Sequence, residues 1–281
     1  MEFLADFAFV YQSLIYAVGI NGLLALSVYV SLSAGQLSLG QAGFMAIGAY
    51  SSALLSLKYD AFFPLALAMG MLIPALFAAL ISIPTLRLSG VYLALTTIGV
   101  GELVRVFFVN LDSAGGALGL SGIPEKGSFA LIYGCLFIVL FGMFAFARSK
   151  FGRAIEAMRE DETAAGTMGI NFPRYRLAVL VVSAAIAGLA GGLNAHVSSF
   201  IGPAEYGFDL AVSILSFALL GGISNPLGPV LGAIVLTILP EVLRPIHDYR
   251  LAVNGAVIVI VMIFCPEGVF AWRIRRTGAA V

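Results

Sequence analysis

Residues 129–147 read FALIYGCLFIVLFGMFAFA, and residues 148–176 continue as RSKFGRAIEAMREDETAAGTMGINFPRYR. The first stretch has no charged side chain over nineteen residues, close to the roughly 20 apolar residues that carry a helix across a bilayer. The second holds six of the fifteen basic residues and four of the fifteen acidic ones. The contrast separates a membrane span from a segment built to meet water. Across all 281 residues, 60% are hydrophobic and 11% charged, against roughly 25% charged in a soluble domain. A water-soluble globule is excluded because its surface could not be covered. Lys+Arg and Asp+Glu both total 15, so no basic excess points to nucleic acid.

Working outward, apolar runs occupy 8–30, 37–57, 62–86, 90–109, 177–199 and 251–270, and each is long enough to cross. Two shorter runs, 208–222 and 227–243, are separated by GGISNPLGP (221–229). This predicts an all-α polytopic membrane protein with about eight transmembrane helices plus a broken or re-entrant helical pair. Residues 1–281 read as one transmembrane domain, with 148–176 as a cytoplasmic segment inside it. Basic residues collect on the cytoplasmic side of membrane proteins. With residue 1 outside, Arg87, Arg148, Lys150, Arg153, Arg159, Arg174, Arg176, Arg273, Arg275 and Arg276 fall inside, and only Lys58, Lys126, Arg244 and Arg250 outside. The N-terminus is therefore expected out and the C-terminus in. The acidic start MEFLAD (1–6) is unlike a secretory signal, so the first run is expected to stay in the mature chain.

Read as one helix, 152–168 places Ala154, Met158, Ala165 and Met168 near one stripe and Arg153, Glu156, Glu160 and Asp161 toward the other, with Gly166 and Gly169 ending it. Such a segment is either a solvated loop or an amphipathic element that docks in a partner's groove. Small residues at helical spacing (Ala184, Gly188 and Gly192; Ala187 and Gly191; Gly228 and Gly232) let helix backbones approach closely. Polar side chains beside glycines in SLSAGQLSLGQAG (31–43), and again in TTIGVGE (96–102), fit either an interfacial turn or a broken helix lining a path. Glu102 and Arg105 lie three apart on one helical face and can pair. His196 reads as a hydrogen-bonded packing residue, and Cys135 and Cys265 as buried thiols outside any metal-ligand spacing. The glycine-rich loop 110–127 lacks the Lys-Ser/Thr of a phosphate cradle, and no GxxxxGK[ST] motif occurs in the chain. Nucleotide hydrolysis, if it drives this protein, belongs to another chain. An ion-coupled carrier would commit several carboxylates or histidines to mid-span, where this chain offers chiefly Glu102. An enzyme would need a catalytic constellation such as HExxH or GxSxG, and neither occurs.

The stretch RAIEAMREDETAAGTMGIN (153–171) resembles the cytoplasmic coupling segment of LivM-type permeases of branched-chain amino acid ABC importers. The resemblance continues through SAGQLSLGQAGF (33–44), GVYLALTT (90–97), ELVR (102–105), SAAIAGLAGGL (183–193) and GPVLGA (228–233), in the family's order. It departs at SAGGALGL (113–120), where the family reads closer to Thr-Gly-Gly-x-x-Gly, and the chain is compact for the family. The resemblance implies a permease of the bacterial inner membrane, working with a second related permease, two cytoplasmic ATPases and a periplasmic solute-binding protein. No cofactor is expected in this chain, ATP and Mg being held by the ATPases. Arg153, Ala154, Glu156, Ala157, Arg159, Glu160, Asp161, Glu162, Ala165, Gly166 and Gly169 would meet the ATPase. A weakly selective path would run near Gly35, Gln36, Ser38, Gln41, Thr96 and Thr97, with Glu102 and Arg105 as an intramembrane pair. Related permeases for urea or short amides, and an ion-coupled carrier, are the alternatives.

Overall fold

The computed structural model describes residues 11–86, 88–242, 255 and 269. Arg87, Arg244, Arg250, Cys265, Arg273, Arg275, Arg276 and all of the run 251–270 except 255 and 269 lie outside the described residues. Ten helices follow in order among those described: α1 (Gln12–Ser33), α2 (Gln41–Lys58), α3 (Phe63–Thr85), α4 (Gly90–Val109), α5 (Phe129–Arg148), α6 (Lys150–Glu160), α7 (Glu162–Thr167), α8 (Phe172–Ser198), α9 (Phe208–Gly221) and α10 (Leu227–Val242). Five of them, α1, α3, α4, α5 and α8, are long and apolar enough to cross a membrane. α2, expected as a span over 37–57, starts only at Gln41, runs 18 residues with Gln41 and Lys58 at its ends, and is not among those five. α9 and α10 are shorter apolar helices.

The helix ends follow local chemistry. Pro64 and Pro173 open α3 and α8, where a missing N–H costs nothing. Ser128 and Ser149 cap α5 and α6, accepting from Leu131 N at 3.3 Å and Gly152 N at 3.1 Å.

At the centre, α2 and α8 pack on one another and against α1 and α3, with α4 leaning on α2 and α5 on α1. The crossing of α2, α3 and α8 is made by glycines. A Cβ on Gly48 would collide with the Gly188 backbone, one on Gly188 with the Gly70 carbonyl and the Pro74 ring, and one on Gly191 with the Met45 carbonyl. The small-residue spacing of 184–192 is thus spent on close approach of backbones. α9 and α10 form an antiparallel hairpin beside α1, with Gly221 against Gly228 and Gly232 against the Phe217 carbonyl.

At one end of the bundle, the 110–127 loop folds onto the end of α8. Strands β1 (Leu120–Ser121) and β2 (Phe200–Ile201) pair antiparallel, with Leu120 opposite Ile201. Gly119 takes φ 79° where the turn into β1 needs a left-handed residue. His196, fully buried, ties this end together. Its Nδ1 lies 3.0 Å from the Pro124 carbonyl, which can only accept, so Nδ1 carries the proton and Nε2 accepts from Ser52 (3.1 Å) and Ser56 (3.3 Å). The packing role expected for His196 is what the structure gives. Cys135 is a free, half-buried thiol.

Candidate functional site

The opposite end of the bundle carries the charged segment. The single helix expected over 152–168 is two helices, α6 and α7, because Asp161 adopts extended backbone and its carboxylate caps α7, accepting from Ala164 N at 3.0 Å. Gly166 lies inside α7 rather than ending it; Gly169, at φ 82°, follows the stop. α6 turns Ile155 and Met158 into the bundle and α7 buries Ala165. Arg153, Glu156, Arg159, Glu160 and Asp161 are exposed, as is Met168 at 83%. Met168 therefore leaves the apolar stripe expected of it: α7 ends at Thr167 and Met168 lies in the turn beyond. Ala154 and Ala157 are half-buried. An exposed methionine amid charges is an uncovered apolar contact on a polar step.

A cavity of about 580 Å³ lies between α6, the ends of α1 and α5, and the α9–α10 turn. Its walls include Tyr29 and Ser33 of α1, Arg148 of α5, Glu156 and Arg159 of α6, and Ser224 and Asn225 of the α9–α10 turn. The turn at 222–226 and the charged helix thus share one end of the molecule. Asn225 holds that turn, its side-chain oxygen accepting from Leu227 N at 3.2 Å. α6 packs directly on α5, touches α1 and α8, and faces the hairpin tip across the cavity.

The polar stretch between α1 and α2 is buried. Gln36, Ser38 and Gln41 are at most 8% exposed. Gln41 Nε2 donates to Ser31 at 3.4 Å and to Ser183 at 3.3 Å, and the Ser183 hydroxyl donates to the Ser27 carbonyl at 2.8 Å. Leu39 N donates to Thr97 Oγ1 at 2.9 Å, fixing the irregular backbone onto α4. Gly35, at φ 68°, provides the reversal after α1. Gln36 Oε1 and Gln41 Oε1 are buried with no hydrogen-bond partner. Thr96 does not join this seam. One residue along a helix is a rotation of about 100°, and its hydroxyl donates instead to Tyr92 O at 2.8 Å on the exposed face.

Glu102 and Arg105 pair as their spacing requires, Arg105 Nε donating to Glu102 Oε2 at 2.7 Å with both side chains about a third exposed. Sequence gave no sign of a third partner. Phe208 N, at the first turn of α9, donates to Glu102 Oε1 at 3.1 Å. The carboxylate thus caps a helix whose own preceding residue, Gly207, has no side chain to do so. Removing Glu102 should therefore cost more than removing Arg105. Glu102→Leu is expected to destabilise by about 2 kcal/mol and Arg105→Leu by less than about 1 kcal/mol. Thermal unfolding in detergent measures both, and equal losses would contradict the capping role.

The profile of the family described as "Branched-chain amino acid transport system / permease component" matches residues 10–266. This chain belongs to that family. Among curated relatives it is 34% identical to the high-affinity branched-chain amino acid transport system permease protein LivM of Escherichia coli strain K12, over 87% of this chain and 66% of the relative. LivM of Salmonella typhimurium matches equally, at 34% over the same shares. The permease protein LivH of E. coli strain K12 is 31% identical over half of this chain and 46% of its own length. The chain spans slightly under two thirds of the LivM proteins it matches. No solved structure matches.

For this branched-chain amino acid transport permease family member, four features were not read from sequence: Ile155 as the anchor of α6, Asn225 at the hairpin tip, Ser183 as the partner of Gln41 and the Phe208 N–H as a partner of Glu102. Ser183 and Gln41 are 142 positions apart, so no local pattern connects them. Asp161 carried a readable signal, an N-cap residue type directly before a Glu. Among the described residues no group of three or more His, Cys, Asp or Glu could hold a metal ion.

Proposed function

We propose that this chain is the membrane-spanning permease subunit of an ATP-driven importer for branched-chain or other small hydrophobic amino acids. The observation that carries the reading is the α6–α7 step: two short helices anchored by Ile155, Met158 and Ala165, offering charged side chains and Met168 outward. That is the build of a handle gripped by a separate protein, and the chain has no nucleotide-binding motif with which to drive itself. The relatives' names supply the solute class, and the occurrence of both LivM and LivH among them supports a second, related permease as partner. ATP and Mg would be held by two cytoplasmic ATPases, and selectivity by a periplasmic binding protein.

The clustering of basic residues in 148–176 supports a cytoplasmic position for α6, and with it an outward N-terminus in a bacterial inner membrane. Force on α6 would pass through its direct contacts with α5, α1 and α8. The buried seam of Gln36, Ser38, Gln41 and Thr97 would then be a closed section of the path. Its support is the two unpaired amide oxygens, which a passing ammonium or hydroxyl group would satisfy.

Reconstitution tests the reading. Liposomes holding this chain, the second permease and the ATPases should accumulate leucine only with ATP at the ATPase face and binding protein at the other, and this chain alone should be inert. Leucine uptake by this chain alone down an ion gradient would contradict it and favour the carrier. Transport of urea or acetamide in place of leucine would keep the machine and overturn its solute.

A further inference from the structure

The connector between β2 and α9 is seated within the bundle rather than above it. Tyr206, in its 203–206 turn, meets Tyr50, which stands halfway along α2 and roughly 12–14 Å from either end of that helix. The two rings are 6.4 Å apart, edge to face, and Tyr50 stacks on Phe108 of α4 at 4.0 Å. Phe208 N, just past the turn, is held by Glu102 roughly 10 Å short of the end of α4. Irregular backbone at such a depth persists only where protein buries it or it lines a water-filled cavity. Pro203 and Tyr206 are buried, while Ala204 and Glu205 between them are exposed. A carboxylate facing hydrocarbon is costly, so the space in front of Glu205 is polar.

Behind that carboxylate lie two polar atoms with nothing to bond. The hydroxyls of Tyr50 and Tyr206 are buried without a hydrogen-bond partner. Asn194 of α8 stands beside the Tyr206 hydroxyl without the geometry of a hydrogen bond, and the Glu205 charge acts on both phenols. Phenylalanine would fill either place and leave no polar atom unpaired, so packing does not account for the hydroxyls. Their position ties them to the buried seam. The α2–α4 contact runs from Gly40 against Thr97, through Gly43 against Gly101, to Tyr50 on Phe108. The 203–206 turn closes the far end of that contact, touching both helices.

We infer that Tyr50 and Tyr206 bind the zwitterionic head of an amino acid entering from the outer face once the 203–206 turn lifts. Their hydroxyls donate to its carboxylate, and Glu205 accepts from its ammonium group. The site rests on the proposed import function and names its outer solute contacts. Tyr50→Phe and Tyr206→Phe in the reconstituted importer test it. Each should cut ATP-driven leucine uptake at saturating binding protein by about tenfold or more, the worth of a hydrogen bond to a charged group. Their unfolding midpoints in detergent should hold or rise, because each change removes an unpaired buried hydroxyl. Glu205→Gln, on the exposed side where folding is not at risk, should lower uptake in the same way. Full uptake in all three variants, beside an active wild-type assembly, would overturn the site and leave the importer standing. Full uptake with lowered midpoints in the phenylalanine variants would assign the hydroxyls to structural water, and overturn it too. A wild-type assembly that moves no leucine would remove the transport reading and this site together.

Discussion

Exchanging Glu160 for Arg together with Met168 for Glu should leave the permease folded and in the membrane, yet cut ATP-driven uptake at least about tenfold. Both side chains are exposed, so neither change touches a packed contact within the bundle. A surface substitution of this kind usually moves stability by no more than about 0.5 kcal/mol. At a docking face the same pair would remove an apolar anchor and reverse a charge. Losses above about 1 kcal/mol per central residue are common there, and 1.4 kcal/mol is about tenfold. Uptake and ATPase rate measured together distinguish the mechanism. Hydrolysis that continues while uptake falls is uncoupling, the expected result; normal uptake in the double variant would remove the handle from the account.

Gly188→Val should prevent the bundle from assembling, and Gly188→Ala should cost about 3 kcal/mol or more. The new Cβ would meet the Gly70 carbonyl and the Pro74 ring on α3, while Gly48 of α2 already lies against the Gly188 backbone. Overpacking a core with flexible side chains costs roughly 1–3 kcal/mol; here the obstacle is partly backbone, which cannot rotate away. Gly142→Ala is the control. Nothing lies within 4 Å of a Cβ built there, and alanine favours the helix by up to about 1 kcal/mol. Unfolding midpoints in detergent should fall for Gly188→Ala and hold or rise for Gly142→Ala. Similar shifts in the two would mean that the glycine crossing is not what sets the packing.

These two outcomes also divide what was legible in the sequence from what was not. The glycine crossing announces itself, because a step of four residues along a helix is a geometric statement that needs no partner to be read. The handle announces itself through charge concentration in a chain that has little charge elsewhere. Its shape does not, since a single period fitted across 152–168 hides the break at Asp161 and misses Ile155. Thr96 and Thr97 are adjacent in one motif yet point about 100° apart, and only Thr97 meets the seam. Gln41 stands out as an amide in an apolar run, but its partner Ser183 comes from a helix 142 positions along the chain. Glu102 likewise shows its i+3 partner and conceals the helix end it holds. Local periodicity thus predicts helices and faces; contacts across more than a hundred residues need the fold.

The central claim is that the α6–α7 step is held by a separate ATPase. A photoreactive amino acid at Met168, irradiated in the native membrane assembly, tests it most directly. The account predicts a crosslink to an ATPase subunit. Capture of lipid or solvent alone, in an assembly shown to be active, would contradict it.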